Sequence, residues 1–229
     1  MAQASFDAWV KYYRQDENTP NATISYYSKG ATVALCLDLS LRSQGRTTLD
    51  AVMRGLWLRC KAGPMAQDDL LQVLQALSGT DWSAQIGQWV HGTGELPLKE
   101  LLEHHGVAVL EEPAQMAQAL GLRVVENGGV QIKTVLRDSA AERAGMAAGD
   151  EWIGIEVGGK SNPAQAWRLT RLDELTLYAR PGQELIALVA RDKRLLRLEL
   201  TLPPALTTWR LTVKDEALVN DWLAAPTRP

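Results

Sequence analysis

The stretch Ser139-Ala-Ala-Glu-Arg-Ala-Gly-Met-Ala-Ala-Gly-Asp150 decides how the chain is read. Its first residues favour a short helix, and Gly145 stands where a helix ends in the left-handed region. Met146 then turns back as an apolar plug, and Gly149-Asp150 leads the chain into a strand. A helix that stops on glycine and feeds straight into a strand implies that helix and sheet share one core.

Strands surround this segment. Leu122 to Glu126 and Val130 to Val135 flank Asn127-Gly128-Gly129, a strong short-range hairpin signal. Trp152 to Val157, Leu185 to Arg191 and Leu195 to Leu202 read as three further strands. Asp173 to Ala179 reads as a second helix, stopped by Pro181-Gly182. A small β-barrel with two helices, over residues 106–203, satisfies this order.

Upstream of residue 106 the apolar period becomes helical. Leu49, Val52, Met53, Leu56, Trp57 and Cys60 fall on one helix face, capped by Thr47 or Thr48 and ended by Gly63-Pro64. Leu70 to Leu77 predicts a second helix. Trp82, Ile86, Trp89 and Val90 predict a third, and Leu98, Leu101, Leu102 and His105 a fourth. Tyr27 to Ser43 reads as a longer helix. Helices this short are marginal alone, so they predict a packed helical domain over residues 1–105. Residues 204–229 form a tail that packs back, with a strand at Trp209 to Val213 and a helix from Glu216 to Leu223. The fold class expected is therefore multidomain α + α/β.

Composition narrows the function. The 229 residues carry 24 Lys+Arg against 27 Asp+Glu, a net charge of -3, without the basic field of a nucleic-acid binder. Two cysteines, Cys36 and Cys60, cannot build a disulfide framework and read as small helix hydrophobes. No apolar run reaches membrane-spanning length, and MAQASFDAW has no signal-peptide pattern, so the expectation is a cytoplasmic protein without nucleic-acid or membrane partners, unless an upstream signal precedes Met1. Nucleotide-binding glycine loops and a Gly-x-Ser-x-Gly elbow are absent from the sequence. Asn21-Ala22-Thr23 is a formal glycosylation acceptor that reads as a plain turn.

Ala119-Leu120-Gly121-Leu122, together with the stretch from Ser139 to Asp150, resembles bacterial PDZ domains. The resemblance implies a peptide-binding site. Strand 122–126 would accept a peptide or protein C-terminus as an added strand, with Arg123 and Val124 on that strand. Amides of Leu120, Gly121 and Leu122 would hold the terminal carboxylate. Leu172, Leu175 and Thr176 would line the pocket for its last side chain. The other reading makes Leu120 and Leu122 core residues and closes the groove with residues 204–229.

Tyr26-Tyr27-Ser28-Lys29-Gly30-Ala31, before an apolar helix, resembles the Tyr-x-Lys-Gly-Ala segment of thermolysin-like zinc aminopeptidases. With the segment from Phe6 to Arg14, with Val90-His-Gly-Thr-Gly-Glu-Leu-Pro-Leu98 and with the PDZ-like half, the chain resembles the C-terminal part of the glycyl aminopeptidase family. The resemblance implies that Tyr27 is catalytic, its neutral hydroxyl steadying a tetrahedral intermediate. It also implies a zinc cofactor in the parent enzyme, supplying the activated water. The alternative is that Tyr27 is a buried anchor with a satisfied hydroxyl.

The sequence departs from that family at the metal. No His-Glu-x-x-His occurs, and His91, His104 and His105 lack ligand spacing. The expectation is a C-terminal fragment with no metal site or cofactor of its own, inactive without a missing N-terminal catalytic region. A stand-alone PDZ adaptor that binds C-terminal peptides is the alternative.

Overall fold

The computed structural model describes residues 10, 13–23, 25–158 and 165–224. Phe6 and Trp9, part of the first family-like segment, lie outside them. The chain divides into two units: residues 25–110 with 209–224, and residues 13–23 with 111–208.

The first unit is mainly helical. Ser25 caps helix Tyr26–Ser43 by accepting the Ser28 N–H, and Thr48 caps helix Leu49–Cys60 by accepting the Ala51 N–H. Helix Gln67–Ser78 ends at Gly79, whose φ of 73° gives the left-handed stop. Helices Ser83–His91 and Leu98–His104 follow. One core gathers Val33, Cys36, Leu37, Leu41, Val52, Leu56, Leu74, Trp82, Ile86 and Trp89. Its polar atoms are satisfied: the buried Trp82 indole N–H donates to Ser78 Oγ at 2.9 Å, and that hydroxyl donates to the Leu74 carbonyl at 2.7 Å. Burial pushes the Cys36 thiol pKa up, as a core hydrophobe requires.

Strand β1 (Val107–Pro113) pairs with β8 (Thr207–Val213), followed by helix Glu216–Leu223. Val107, Val109 and Val219 share a smaller core with Leu39 and Leu102.

The second unit is an antiparallel sheet. Its order is β2 (Leu122–Glu126), β3 (Val130–Val135), β4 (Glu151–Val157), β6 (Glu184–Arg191) and β7 (Arg194–Thr201), with β5 (Gln165–Arg168) also on β4. The barrel expected from the sequence does not close, because β2 and β7 remain opposite edges of an open sheet. Val130 and Gln131 of β3 register with β4, which begins at Glu151, and Ile132 bonds on to Gly149 and Asp150 just before it. Helix Ala140–Arg143 and the segment from Leu172 to Tyr178 cover the core with Ala140, Ala141, Leu172 and Leu175. The second of these begins as a 3-10 turn, Leu172–Glu174, before one α turn, Leu175–Tyr178. The architecture is thus mixed helix and antiparallel sheet, not α/β with a barrel.

The decisive stretch folds as its residues dictate. Ser139 Oγ accepts the Glu142 N–H at 3.0 Å, Gly145 adopts φ 82°, and Met146 is buried at 5% exposure. Asp150 is fully buried and takes two bonds from Arg191, Nε to Oδ1 at 2.7 Å and a terminal nitrogen to Oδ2 at 2.8 Å. Its Oδ2 also accepts the Ala147 N–H at 2.8 Å. The carboxylate raises the Arg191 pKa by accepting its hydrogen bonds.

Candidate functional sites

Tyr27 stands in the first turn of helix Tyr26–Ser43, with 59% of its surface exposed and its ring 4.4 Å from that of Tyr26. It is not the buried anchor of the alternative reading. Two residues on, Lys29 Nζ donates to the Gly92 carbonyl at 2.9 Å. Gly92 ends helix Ser83–His91, so an ammonium meets the negative end of a helix dipole. This bond joins two separate family-like segments, Tyr27-Ser-Lys-Gly and Val90-His-Gly. It fixes the turn that presents the Tyr27 ring.

The described residues do not make a zinc site. No three His, Cys, Asp or Glu side chains among them converge to hold a metal. His91 Nε2 lies 3.0 Å from Gln67 Oε1, and His105 Nδ1 lies 2.8 Å from the Leu101 carbonyl. His105 is buried and edge-on to Trp222, while His104 lies edge-on to His105.

In the sheet unit, four of the eight residues assigned to a peptide groove are core: Leu120, Leu122, Leu172 and Leu175 are each at most 4% exposed. The helix Met116–Leu120, which the sequence did not signal, explains the first of these. Gly121 ends that helix at φ 73°, and its N–H donates to the Gln118 carbonyl at 3.1 Å. That amide is therefore spent within the chain. Arg123 is exposed and Val124 half-buried on β2, an edge strand that pairs with β3 alone among the described residues. Thr176 is exposed and donates its hydroxyl to the Asp173 carbonyl at 2.8 Å.

Sequence reading missed the polar ties around this edge. Glu126 Oε1 accepts the Leu172 N–H at 2.7 Å, and Asp173 Oδ1 accepts the Met116 N–H at 3.1 Å. Glu174 accepts the Thr170 hydroxyl at 2.6 Å and its amide at 3.0 Å, which holds its carboxyl below the usual pKa. Only Glu174 had a local signal, a carboxylate four residues after a threonine at a helix start.

The family model for M61 glycyl aminopeptidase matches residues 1–33, a stretch that takes in Tyr27, Lys29 and Gly30. No curated relative matches the chain. A crystal structure of an aminopeptidase N family protein from Idiomarina loihiensis is 28% identical, with a TM-score of 0.80. The match covers 97% of this chain and 40% of that one, so the chain spans about two-fifths of that relative. The PDZ domain of a carboxy-terminal protease from Vibrio cholerae, solved with peptide, matches at 17% identity over 41% of this chain and 93% of its own, with a TM-score of 0.28. An HtrA-type protease solved with a decapeptide matches at 20% identity over 46% of this chain and 33% of its own, also with a TM-score of 0.28. The chain is thus similar to M61 glycyl aminopeptidases over its first 33 residues and to an aminopeptidase N family protein over nearly its whole length.

Proposed function

We propose that this chain is the C-terminal part of a zinc-dependent aminopeptidase that removes glycine and other small N-terminal residues. The observation that carries this reading is the Tyr27 turn, held by Lys29 on Gly92 inside the segment that matches the family. Zinc, when bound, supplies an activated water. The described residues of this chain do not fit it, so in this reading its ligands lie in polypeptide outside the chain.

The chain's own part is electrostatic. The Tyr27 hydroxyl, a neutral donor, gives its hydrogen bond to the oxyanion that develops as the peptide carbonyl is attacked. A donor aimed at that oxygen stabilises the transition state more than the bound substrate. In the longer, zinc-bearing polypeptide, Tyr27→Phe is expected to lower kcat about 10²- to 10³-fold with little change in KM. A raised KM with kcat unchanged would assign Tyr27 to substrate binding and end the reading. The 229-residue chain alone is expected to release nothing from an aminoacyl anilide.

A second reading, peptide capture by a PDZ-like sheet unit, is supported by the open edge of β2. Here the partner is a peptide or protein C-terminus, and Arg123 and Val124 offer backbone to it. The committed Gly121 amide weakens the carboxylate-binding half of that mechanism.

A further inference from the structure

Asn21 is the asparagine of the formal glycosylation acceptor Asn21-Ala22-Thr23, which reads from sequence as a plain turn. In the structure its side chain makes two long-range hydrogen bonds, both within the sheet unit. Nδ2 donates to the Val135 carbonyl at 2.8 Å, and Oδ1 accepts the Arg137 N–H at 2.8 Å. A carbonyl can only accept and an amide N–H can only donate, so both partners fix the same orientation of the side-chain amide. Between them, the Leu136 N–H donates to the Gly121 carbonyl at 2.8 Å. Asn21 thus takes backbone groups at the end of β3 in the way a neighbouring strand would.

The segment that carries Asn21 is built to hold it. Asp16 Oδ1 accepts the Asn18 N–H and the Thr19 hydroxyl, each at 3.0 Å, and Thr19 Oγ1 accepts the Asp16 N–H at 2.8 Å. Pro20 stands in the first turn of the short helix Thr19–Ala22, and the Thr23 hydroxyl donates to the Thr19 carbonyl at 3.2 Å. A segment already ordered by its own bonds loses little further freedom when Asn21 docks. Three residues separate Asn21 from Ser25, the cap of helix Tyr26–Ser43. A chain that short reaches at most about 14 Å, so a fixed Asn21 limits how far the entry to the Tyr27 turn can swing.

We propose that Asn21 is a positioning residue for Tyr27. Its two bonds fix the chain that enters the turn, and Lys29 on the Gly92 carbonyl fixes the turn from within its helix. Restraint on both sides holds the hydroxyl where the oxyanion forms, and small displacements there are costly to rate. This role rests on Tyr27 being the oxyanion donor. Asparagine suits the position because it offers a donor and an acceptor at one reach. Aspartate keeps the shape but sets an oxygen against the Val135 carbonyl.

In the longer, zinc-bearing polypeptide, Asn21→Asp is expected to lower kcat for an aminoacyl anilide about 10- to 100-fold with KM little changed. Asn21→Ala, which removes both bonds without adding a charge, is expected to give the same pattern. Asn18→Asp, the same change at an exposed side chain that makes no cap bond, is expected to leave kcat as it was. Added to Tyr27→Phe, Asn21→Asp is expected to cost nothing more, because a positioning residue acts only through the group it positions. In the 229-residue chain, Asn21→Asp is expected to speed hydrogen exchange at the Arg137 amide while circular dichroism is unchanged.

Full kcat in both Asn21 variants, beside a Tyr27→Phe enzyme that has lost it, overturns the proposal and leaves the reading of Tyr27 standing. So does an equal loss from Asn21→Asp in both backgrounds, which marks a general effect on folding. Unchanged kcat in Tyr27→Phe overturns both. An Arg137 amide that exchanges no faster removes the clasp itself, and the proposal with it.

Discussion

The helical and sheet units solve the same problem, hiding apolar surface, in different ways. In the sheet unit Leu120, Ile132, Trp152, Ile155, Leu172, Leu175 and Val189 form one continuous buried cluster. In the helical unit the apolar stripe of helix Leu49–Cys60 is only half covered. Val52 and Leu56 are buried, whereas Met53 and Trp57 are 56% and 65% exposed. Leu58 and Met65 are exposed as well. The sheet unit gathers its large side chains into one core, although Leu177 and Leu195 stay exposed, and the helical unit leaves part of a helix stripe uncovered. That difference suits a chain that matches two-fifths of a longer relative.

The sharpest way to break this comparison is to attack the sheet unit at a buried charge, Asp150. Asp150 is fully buried, while Arg191 keeps about a third of its side chain exposed. Asp150→Ala leaves the Ala147 amide unpaired and Arg191 with the Gly145 carbonyl in place of its carboxylate, and leaving such buried groups unsatisfied costs about 2 kcal/mol. Hydrogen exchange should show the loss in peptides covering Leu122–Val135 and Glu184–Thr201. Protection of helices Leu49–Cys60 and Gln67–Ser78 should hold. Equal loss in both sets of peptides would mean that the two units do not fold as separate modules.

A similar effect is expected at Gly121, where the turn into β2 needs both a left-handed backbone and an absent side chain. Its φ is 73°, and an added Cβ would sit 2.2 Å from the Cβ of Ser139. Strain and overpacking together should make Gly121→Ala cost about 2 kcal/mol. A chemical-denaturation midpoint for the sheet unit that does not move would show that Ser139 and its helix shift freely.

What the sequence disclosed divides along the same line. Helix starts and stops are local chemistry, so Thr48, Gly79, Ser139 and Gly145 could be read directly from their neighbours. The hairpin at Asn127-Gly128-Gly129 was legible for the same reason. The partnership of β1 with β8 joins residues about a hundred positions apart, and Val-Ala-Val-Leu-Glu-Glu-Pro carries no local sign of its mate. The Asp150–Arg191 pair, 41 residues apart, was invisible in the same way. The sheet was expected to close because five strands and two helices can do so. Closure needs β2 and β7 to meet, and among the described residues no ladder joins them. At the candidate sites, Tyr27 and Lys29 were legible as a motif, but the Gly92 carbonyl that holds Lys29 was not. The peptide-groove leucines had the right spacing, and the missed helix Met116–Leu120 turned Leu120 into the core.

The gentlest test uses a helix glycine whose removal should help. Gly30 lies inside helix Tyr26–Ser43, and nothing comes within 4 Å of an added Cβ. Glycine in a helix interior spends more backbone entropy on folding than alanine does. Gly30→Ala should therefore stabilise the helical unit by about 0.5–1 kcal/mol. Gly30 follows Lys29, whose bond to Gly92 positions the Tyr27 turn, so a stiffer helix start should leave that bond intact. A raised denaturation midpoint with unchanged activity in the longer polypeptide would show that Gly30 is there for neither packing nor catalysis. A raised midpoint with lowered kcat would show that the freedom of this turn is used when the Tyr27 hydroxyl meets its oxyanion. The helical unit would then be the functional half because it is the less rigid one.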